Sequence, residues 1–280
     1  MDWRKIKKID AHVHLLPPKS LEEKKVCDPE VWGKASLDEY LKLMEKYNIQ
    51  KAVLVPINEP YTYFNEPVDT NNWLESVKEK YKDKFFAFCD VVNKGYFNEF
   101  APYWLDKAIK TNKLDGLKLH PANLGINFDS LDFVPVLRKA GDLKVPVMVH
   151  SYPYSKSGFE TCLPQKIHTM AKIFPDVTFI ISHLGGCRFM DAIEGSEYVD
   201  ISTFLPELVS IYGIEQSNKI LRAFGVDRLI FATDYPQVFL CKTEDIYETY
   251  FDILNKMDFT QEEAEQIAYK NIEKILNSNK

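Results

Sequence analysis

The run Ile9-Asp10-Ala11-His12-Val13-His14 has the pattern of a β-strand that ends in two histidines. Side chains alternate between the two faces of an extended chain, so the pattern predicts that Asp10, His12 and His14 lie on one side of it. Two imidazoles would then point at one place. The run therefore predicts a strand whose carboxyl end carries chemistry.

Strand-like and helix-like patterns alternate along the rest of the chain, which is typical of a parallel sheet with crossover helices. Eight strands are predicted, at residues 6–13, 51–57, 84–92, 115–119, 145–150, 177–182, 198–202 and 228–233. Helices are predicted at 37–48, 71–82, 99–111, 131–140, 161–174, 187–193, 215–224, 244–256 and 261–277. Such a chain of the α/β class closes most economically into a (β/α)8 TIM barrel, and we expect a metal site at its C-terminal face.

The chain shows no linker, internal repeat or low-complexity segment, so residues 1–280 are expected to form a single domain. Local signals support the helix starts. Ser36 and Asp38 can cap the first helix, and Thr260 opens a capping box for the last.

The composition fits a soluble protein, because 45% of the 280 residues are hydrophobic and can fill a large core. A net charge of -6 argues against a nucleic-acid or membrane partner and leaves a small-molecule substrate. The five cysteines form no CxxC pair, which favours reduced thiols and a cytoplasmic location. No apolar stretch approaches the ~18 residues that span a bilayer. The sequence leaves open whether the chain forms a homo-oligomer.

Most of the histidines fall at predicted carboxyl-terminal strand ends, and only His168 of the six lies in a predicted helix. The others are His12, His14, His120, His150 and His183. A barrel of this kind offers about sixteen such positions, so chance would place fewer than one histidine there. A single buried histidine is usually a core residue, but this clustering indicates one shared site.

Neutral imidazoles and carboxylates are ligands for Zn²⁺ and similar divalent ions. His12, His14, His150 and Asp234 would supply three nitrogen donors and one oxygen donor. This set predicts one divalent metal ion, with Zn²⁺ favoured, which lowers the pKa of bound water toward ~7. Histidines bind metal only when neutral, and their reference pKa is about 6.5, so we expect metal loss in mild acid.

These motifs resemble the amidohydrolase superfamily, in the amidohydrolase-related branch that includes aminocarboxymuconate-semialdehyde decarboxylase and several lactonases. The resemblance runs from Asp-Ala-His-Val-His at 10–14 to Ala-Thr-Asp-Tyr-Pro at 232–236. It implies that His12, His14 and His150 match metal ligands of that family.

The resemblance also implies two catalytic residues. His183, in Ser-His-Leu-Gly-Gly, would contact the nucleophilic water or the substrate. Asp234 would bind the metal and act as general base. An isolated His-x-His motif would be weak, whereas the combination is specific.

The fourth predicted strand places Lys118 and His120 on one face, where both should point into the barrel. A buried lysine is costly unless it is paired or modified, and two-metal relatives use a carbamylated lysine here as a bridge. The Lys-Leu-His-Pro form resembles the one-metal branch, so one metal is favoured over two. Lys118 would then pair with a carboxylate such as Asp10, and His120 would donate a hydrogen bond to the substrate.

Three further residues have a functional and a structural interpretation. Asp10 is expected to orient a metal-binding imidazole, or to stabilise the strand end. Arg188 could clamp a substrate carboxylate, or lie on the surface at a helix start. Tyr152 could cover a planar substrate together with other loop aromatics, or these rings could pack among themselves. The other rings are Tyr61, Tyr63, Phe64, Tyr154 and Phe159.

Three functions follow from this set. The first is a metal-dependent hydrolase that cleaves an amide, ester or lactone of a small organic substrate with metal-activated water. The second is a lyase, a non-oxidative decarboxylase of a small carboxylic acid that uses the same ligands. The third is a metal-binding protein without catalysis, against which the complete base and water-contacting histidine argue.

Overall fold

The computed structural model describes residues 1–22, 28–58, 67–91, 97–153, 159–237 and 240–278. Eight strands form one sheet in chain order, and every neighbouring pair is parallel. They are β1 Lys8–Val13, β2 Ile49–Leu54, β3 Phe85–Cys89, β4 Gly116–Leu119, β5 Val147–Val149, β6 Phe179–Ile181, β7 Tyr198–Asp200 and β8 Leu229–Ile230.

Hydrogen bonds between β1 and the segment after β8 close the sheet into a barrel. Ala11 N donates to Phe231 O at 3.1 Å, and His14 N donates to Tyr235 O at 2.7 Å. The predicted (β/α)8 TIM barrel is therefore confirmed. No helix among the described residues has the length and apolar character needed to cross a membrane.

Helices connect the strands throughout the described chain. They are α1 Pro18–Glu22, α2 Pro29–Trp32, α3 Leu37–Lys46, α4 Pro67–Lys80, α5 Phe97–Lys110, α6 Pro121–Leu124, α7 Val134–Leu143, α8 Pro164–Ile173, α9 Phe189–Ile193, α10 Phe204–Phe224, α11 Ile246–Leu254, α12 Gln261–Glu265 and α13 Asn271–Asn277. The predicted cap Ser36 accepts from Glu39 N at 3.2 Å, and Thr260 forms its capping box with Glu263.

Two features of the helices differ from the sequence prediction. The short helices α1, α2 and α6 were not predicted, since each is too short to show a helical period. Helix α10 begins at Phe204 rather than near 215. Gly213 leaves the helical region with φ 74° and ψ 169°, which divides α10 and hides its first half from a periodicity search.

Strand residues pack in two layers, because the barrel has apolar contacts on both sides of its wall. Ile9, Ala11 and Met148 belong to one buried cluster, whereas Leu117 and Val147 belong to a second, larger one. The alternation along β5 and neighbouring strands determines which residues at their carboxyl ends face the barrel interior.

Strand β1 interrupts this alternation. From Asp10 to Val13 it advances by three residues, while its partner β2 advances by two, from Ala52 to Leu54. The extra residue is a β-bulge, which shifts the faces on which the following side chains lie. This bulge has a direct consequence for the site.

Candidate metal centre

The carboxyl ends of the strands surround a cavity of about 220 Å³. Its lining combines imidazoles, a carboxylate, one ammonium group and a few apolar and amide side chains. The lining residues are His14, Trp32, Ile57, Lys118, His120, Asn123, His150, His183, Asp234 and Gln237. The predicted clustering of strand-end histidines therefore exists in three dimensions.

Asp234 follows β8 and connects His12, in β1, with His14, the residue directly after that strand. Its Oδ1 lies 3.0 Å from His14 Nε2 and 3.3 Å from His12 Nε2, and its Oδ2 accepts from Thr203 Oγ1 at 2.7 Å. Its backbone N donates to His12 O at 2.9 Å, which fixes the carboxylate against β1. Burial alone would raise the pKa of Asp234, but the neighbouring histidines outweigh it and hold that pKa well below its usual range.

The hydrogen-bond partners of His14 indicate a place for a cation. Its Nδ1 lies 2.8 Å from Val55 O, and a carbonyl oxygen can only accept, so Nδ1 carries the hydrogen. In the neutral ring Nε2 then holds a lone pair, yet it faces the Asp234 carboxylate at 3.0 Å. Two acceptors in contact need a positive charge beside them, so these residues fit a metal ion.

His12 is fully buried and has a different partner at each ring nitrogen. Its Nδ1 lies 3.0 Å from Asp200 Oδ2, and its Nε2 lies 2.9 Å from Lys118 Nζ. Burial, reinforced by the Lys118 charge, lowers the pKa of His12 to about 3. The ring is therefore neutral at ordinary pH, which is the form that binds metal.

The other three histidines of the site form a chain of ring contacts. His183 Nε2 lies 3.1 Å from His150 Nδ1, and the His150 ring stacks on His120 with centroids 3.7 Å apart. Burial lowers the pKa of all three. His120 Nδ1 accepts from Asn123 N at 3.2 Å, so its hydrogen lies on Nε2, as a donor to substrate would require.

The tightest potential ligand group in the described chain is not the predicted one. It consists of His12, His183 and Asp234, whose ligand atoms lie within 4.8 Å of one another. His14 joins this group through Asp234, and His150 through His183. The structure thus brings together all four predicted ligands and the predicted catalytic histidine.

Asp10 does not have the expected position, and the prediction that it orients a site imidazole is wrong. Its carboxylate accepts from Thr233 N at 3.0 Å, from Thr233 Oγ1 at 2.6 Å and from Tyr247 Oη, in α11, at 2.7 Å. It meets His12 through that residue's backbone N, at 3.3 Å. The bulge in β1 places Asp10 on the helix-covered side, so Asp10 is not the partner of Lys118 either.

Arg188 has the structural rather than the functional interpretation. Its Nε donates to Asp191, three residues later, and it is not among the residues that line the cavity. An i,i+3 pair of this kind is a common feature of helix starts. Among the described lining residues, Lys118 is the one with an amine side chain.

Tyr152 lies beside the site, with its ring centroid 5.9 Å from that of His183 in an edge contact. Its hydroxyl donates to Glu207 of α10. The other predicted aromatic residues lie outside the described residues, as does the side chain of Phe159. They are Tyr61, Tyr63, Phe64 and Tyr154.

Sequence reasoning missed several site residues. Asp200 ends β7 at the same rim as the histidines, so the rule that found them could also have found this aspartate. Trp32 and Gln237 lie in a short helix and a loop, where no pattern in the sequence points to a cavity.

A family model described as Amidohydrolase matches residues 9–277. The chain belongs to the amidohydrolase family. A search of curated proteins finds no match.

Solved structures with the same fold include several decarboxylases. The 2,6-dihydroxybenzoate decarboxylase from Rhizobium has a TM-score of 0.73 and 15% identity, covering 98% of this chain and 100% of that chain. A dihydroxybenzoic acid decarboxylase from Polaromonas sp. JS666, solved with manganese and 2-nitroresorcinol, has a TM-score of 0.71 and 15% identity, covering 98% of each chain. A 5-carboxyvanillate decarboxylase from Sphingomonas paucimobilis has a TM-score of 0.72 and 11% identity, covering 98% and 99%.

Proposed function

We propose that this amidohydrolase-family protein is a metal-dependent lyase, a non-oxidative decarboxylase of a small planar carboxylic acid. The observation that carries the proposal is the buried ammonium of Lys118, which lines a cavity of about 220 Å³ beside the histidines and Asp234. An anionic substrate can offset the cost of burying that charge. Decarboxylases among the structures of the same fold support this alternative over hydrolysis.

The proposed metal ligands are His12, His14, His150 and Asp234. They are neutral nitrogens and an ionised oxygen, which suit Zn²⁺ and Mn²⁺ alike. When bound, the ion would supply positive charge that stabilises the negative charge left on carbon as CO₂ departs. Manganese in the Polaromonas decarboxylase makes Mn²⁺ an alternative to the predicted Zn²⁺. One ion is proposed rather than two bridged by carbamylated Lys118.

Lys118 would bind the substrate carboxylate and supply the proton that takes the place of the departing CO₂. Its Nζ has one hydrogen-bond partner in the described chain, His12 Nε2 at 2.9 Å, so further N–H groups are free to meet a carboxylate. Decarboxylation breaks the bond between the carboxyl carbon and the ring or chain carbon. The electron pair stays on that carbon, and a proton from Lys118 Nζ would complete the product.

The remaining lining residues would position the substrate. The stacked His120 and His150 rings and the indole of Trp32 offer flat surfaces to a planar acid. His120 Nε2–H would donate to a substrate oxygen, and His183 would orient the reacting group. Tyr152 would support His183 by its edge contact rather than by its hydroxyl.

Hydrolysis of an amide, ester or lactone is the second candidate. The observation that favours it is Asp234 itself, an ionised carboxylate beside two imidazoles that can take a proton from water. In either reaction we propose that residues 1–280 act as one catalytic domain on a small molecule. A cytoplasmic location remains a prediction.

Product analysis separates the two reactions. Metal-free protein is loaded with Mn²⁺ or with Zn²⁺ and incubated in H₂¹⁸O with small aromatic acids, including 2,6-dihydroxybenzoate and 5-carboxyvanillate, and with a panel of amides, esters and lactones. We expect CO₂ in an amount equal to the acid consumed, without ¹⁸O in the organic product. Incorporation of ¹⁸O without CO₂ would establish the hydrolase instead.

The Asp234→Asn substitution tests the site. The amide cannot carry the charge that the metal and both imidazoles need, so we expect kcat/KM to fall by about 10² to 10⁴. The control is Arg188→Ala, which removes a side chain paired with Asp191 and should leave turnover near the wild-type value. Unchanged turnover in Asp234→Asn, with metal content retained, would refute the assignment.

A further inference from the structure

We infer that Asp200 is a positioning residue that sets the tautomers of two site histidines, His12 directly and His183 through Ser202. The inference rests on the proposed metal function, because it concerns which ring nitrogens are free to bind the ion. Asp200 is the last residue of β7, and its carboxylate is fully buried.

The first part of the network joins Asp200 to His12. Oδ2 of Asp200 lies 3.0 Å from His12 Nδ1, with both side chains at 0% exposure. An ionised carboxylate can only accept, so His12 Nδ1 carries the hydrogen. Its Nε2 lone pair then points into the site, where Lys118 Nζ lies 2.9 Å away and Asp234 Oδ1 lies 3.3 Å away.

The second part reaches His183 through a serine. Ser202 Oγ donates to Asp200 Oδ1, which uses the one hydrogen of the hydroxyl. Ser202 Oγ can therefore only accept from His183 Nδ1, 2.9 Å away. His183 is thus the same tautomer as His12, and its Nε2 is also free of hydrogen.

Asp200 also holds the backbone that carries His183. His183 and Leu184 have φ values of 62° and 55°, in the left-handed region that residues with a Cβ avoid. Oδ1 of Asp200 accepts from His183 N at 2.9 Å and from Ser202 N at 3.0 Å. The same carboxylate thereby orients two rings and secures the unusual turn between β6 and α9.

The chemistry explains why an aspartate is needed at this position. Every contact made by the two oxygens requires an acceptor, and an asparagine would replace one acceptor with an NH₂ donor. If that amide nitrogen faces His12, it donates to Nδ1 and moves the ring hydrogen to Nε2. If it faces His183 N and Ser202, donors meet donors and the turn loses its support.

The test is Asp200→Asn, compared with Asp10→Asn. Asp10, in β1, is an equally buried carboxylate. Its hydrogen bonds go to backbone N–H and hydroxyl groups and not to an imidazole ring. Histidine tautomers are read from ring-nitrogen NMR of metal-free, ¹⁵N-histidine-labelled protein. The Kd for Zn²⁺ and Mn²⁺ is measured by competition with a chelator.

For Asp200→Asn we expect an altered tautomer of His12 or His183 and a Kd raised by about 10-fold to 100-fold. Asp10→Asn should retain both tautomers and a Kd within about twofold of wild type. Wild-type tautomers together with wild-type Kd in folded Asp200→Asn would overturn the inference.

Ser202→Ala provides a second route if Asp200→Asn does not fold. It removes the relay, together with a 3.5 Å contact of Ser202 Oγ to His12 Nδ1, but leaves the shorter contact between Asp200 and His12. The tautomer of His183 should therefore change, while that of His12 is retained. Unchanged His183 signals would overturn the relay. A wild-type protein that takes up neither ion would refute the proposed function, while the NMR measurements would still decide the role of Asp200.

Discussion

Among the residues that the structure describes, two lysines are buried, Lys8 in β1 and Lys118 in β4, and their surroundings differ. Lys8 Nζ donates to Trp3 O at 2.7 Å and to Ile6 O, and it lies 4.7 Å from the centroid of Phe251. Lys118 Nζ meets a histidine nitrogen and lines the cavity. Burial lowers the pKa of Lys8 to about 7 and that of Lys118 to about 8.

The comparison shows that burial and a lowered pKa do not by themselves identify a functional lysine. The two pKa values are similar, because desolvation is the largest cause in both. The partners differ instead: carbonyl oxygens satisfy Lys8, whereas Lys118 meets a group that the proposed metal also needs. Function is therefore indicated by which groups share a cavity.

The largest expected difference is in activity. Lys118→Met removes the ammonium that would bind the acid and supply the proton, so we expect kcat/KM to fall by about 100-fold or more. Lys8→Met should remain within about twofold of wild type, since Lys8 does not line the cavity. Steady-state assays on the same acid measure both, and equal losses in the two variants would break the comparison.

The next difference is in the pH dependence of stability. Folding lowers the pKa of Lys8 from its usual value near 10.5 to about 7, so between these values the unfolded chain holds a proton that the folded chain lacks. Stability from this group therefore rises with pH, by up to about 1.4 kcal/mol per pH unit. The unfolding free energy of wild type minus that of Lys8→Met should rise from pH 7 to 9, and a flat difference would contradict this account.

His168 should show the opposite slope and the smallest effect. Its Nδ1 lies 2.7 Å from Glu197 Oε2, and its Nε2 lies 2.8 Å from Asp191 O. Burial would lower the pKa of His168, but the Glu197 carboxylate and the Asp191 carbonyl outweigh it and raise the pKa. The added stability is full below the ordinary histidine pKa and is lost as pH rises through the folded-state value.

Urea unfolding of His168→Gln measures this effect. We expect a loss of about 1.5 kcal/mol at pH 6, the value of a hydrogen bond to a charged group, and a smaller loss at pH 8. A loss that grows with pH would mean that His168 is neutral in the folded protein. The contribution of His168 to the unfolding free energy should fall with pH, whereas that of Lys8 rises. This difference would show that the partners of each buried base determine whether its contribution to stability rises or falls with pH.

Burial of the site histidines changes the pH at which metal loss is expected. The ordinary histidine pKa predicts metal loss in mild acid. Burial lowers the pKa of His12 to about 3 and also lowers the pKa values of His150 and His183, so these rings stay neutral at lower pH than free histidine. Protons therefore compete less well for these nitrogens than the sequence alone suggests.

The strand pattern and the histidines at strand ends were sufficient to predict the barrel and the residues that meet at its rim. Both depend on local periodicity and on the rule that parallel strands end at one face. The same periodicity was wrong for Asp10, because a bulge in β1 is set by pairing with β2 and leaves no mark in the residues themselves. It also left Asp200 unassigned, since one aspartate at a strand end is common.

The amino-acid order determined which element each residue occupies and which donor types reach the rim, because alternation and helical period are properties of neighbouring residues. Only the tertiary structure decided that Asp200 rather than Asp10 holds His12, that Arg188 pairs with Asp191, and that Lys118 faces the site. Those choices depend on contacts between residues far apart in the chain, such as His12 and Asp200, whose distance is set by the closure of the barrel.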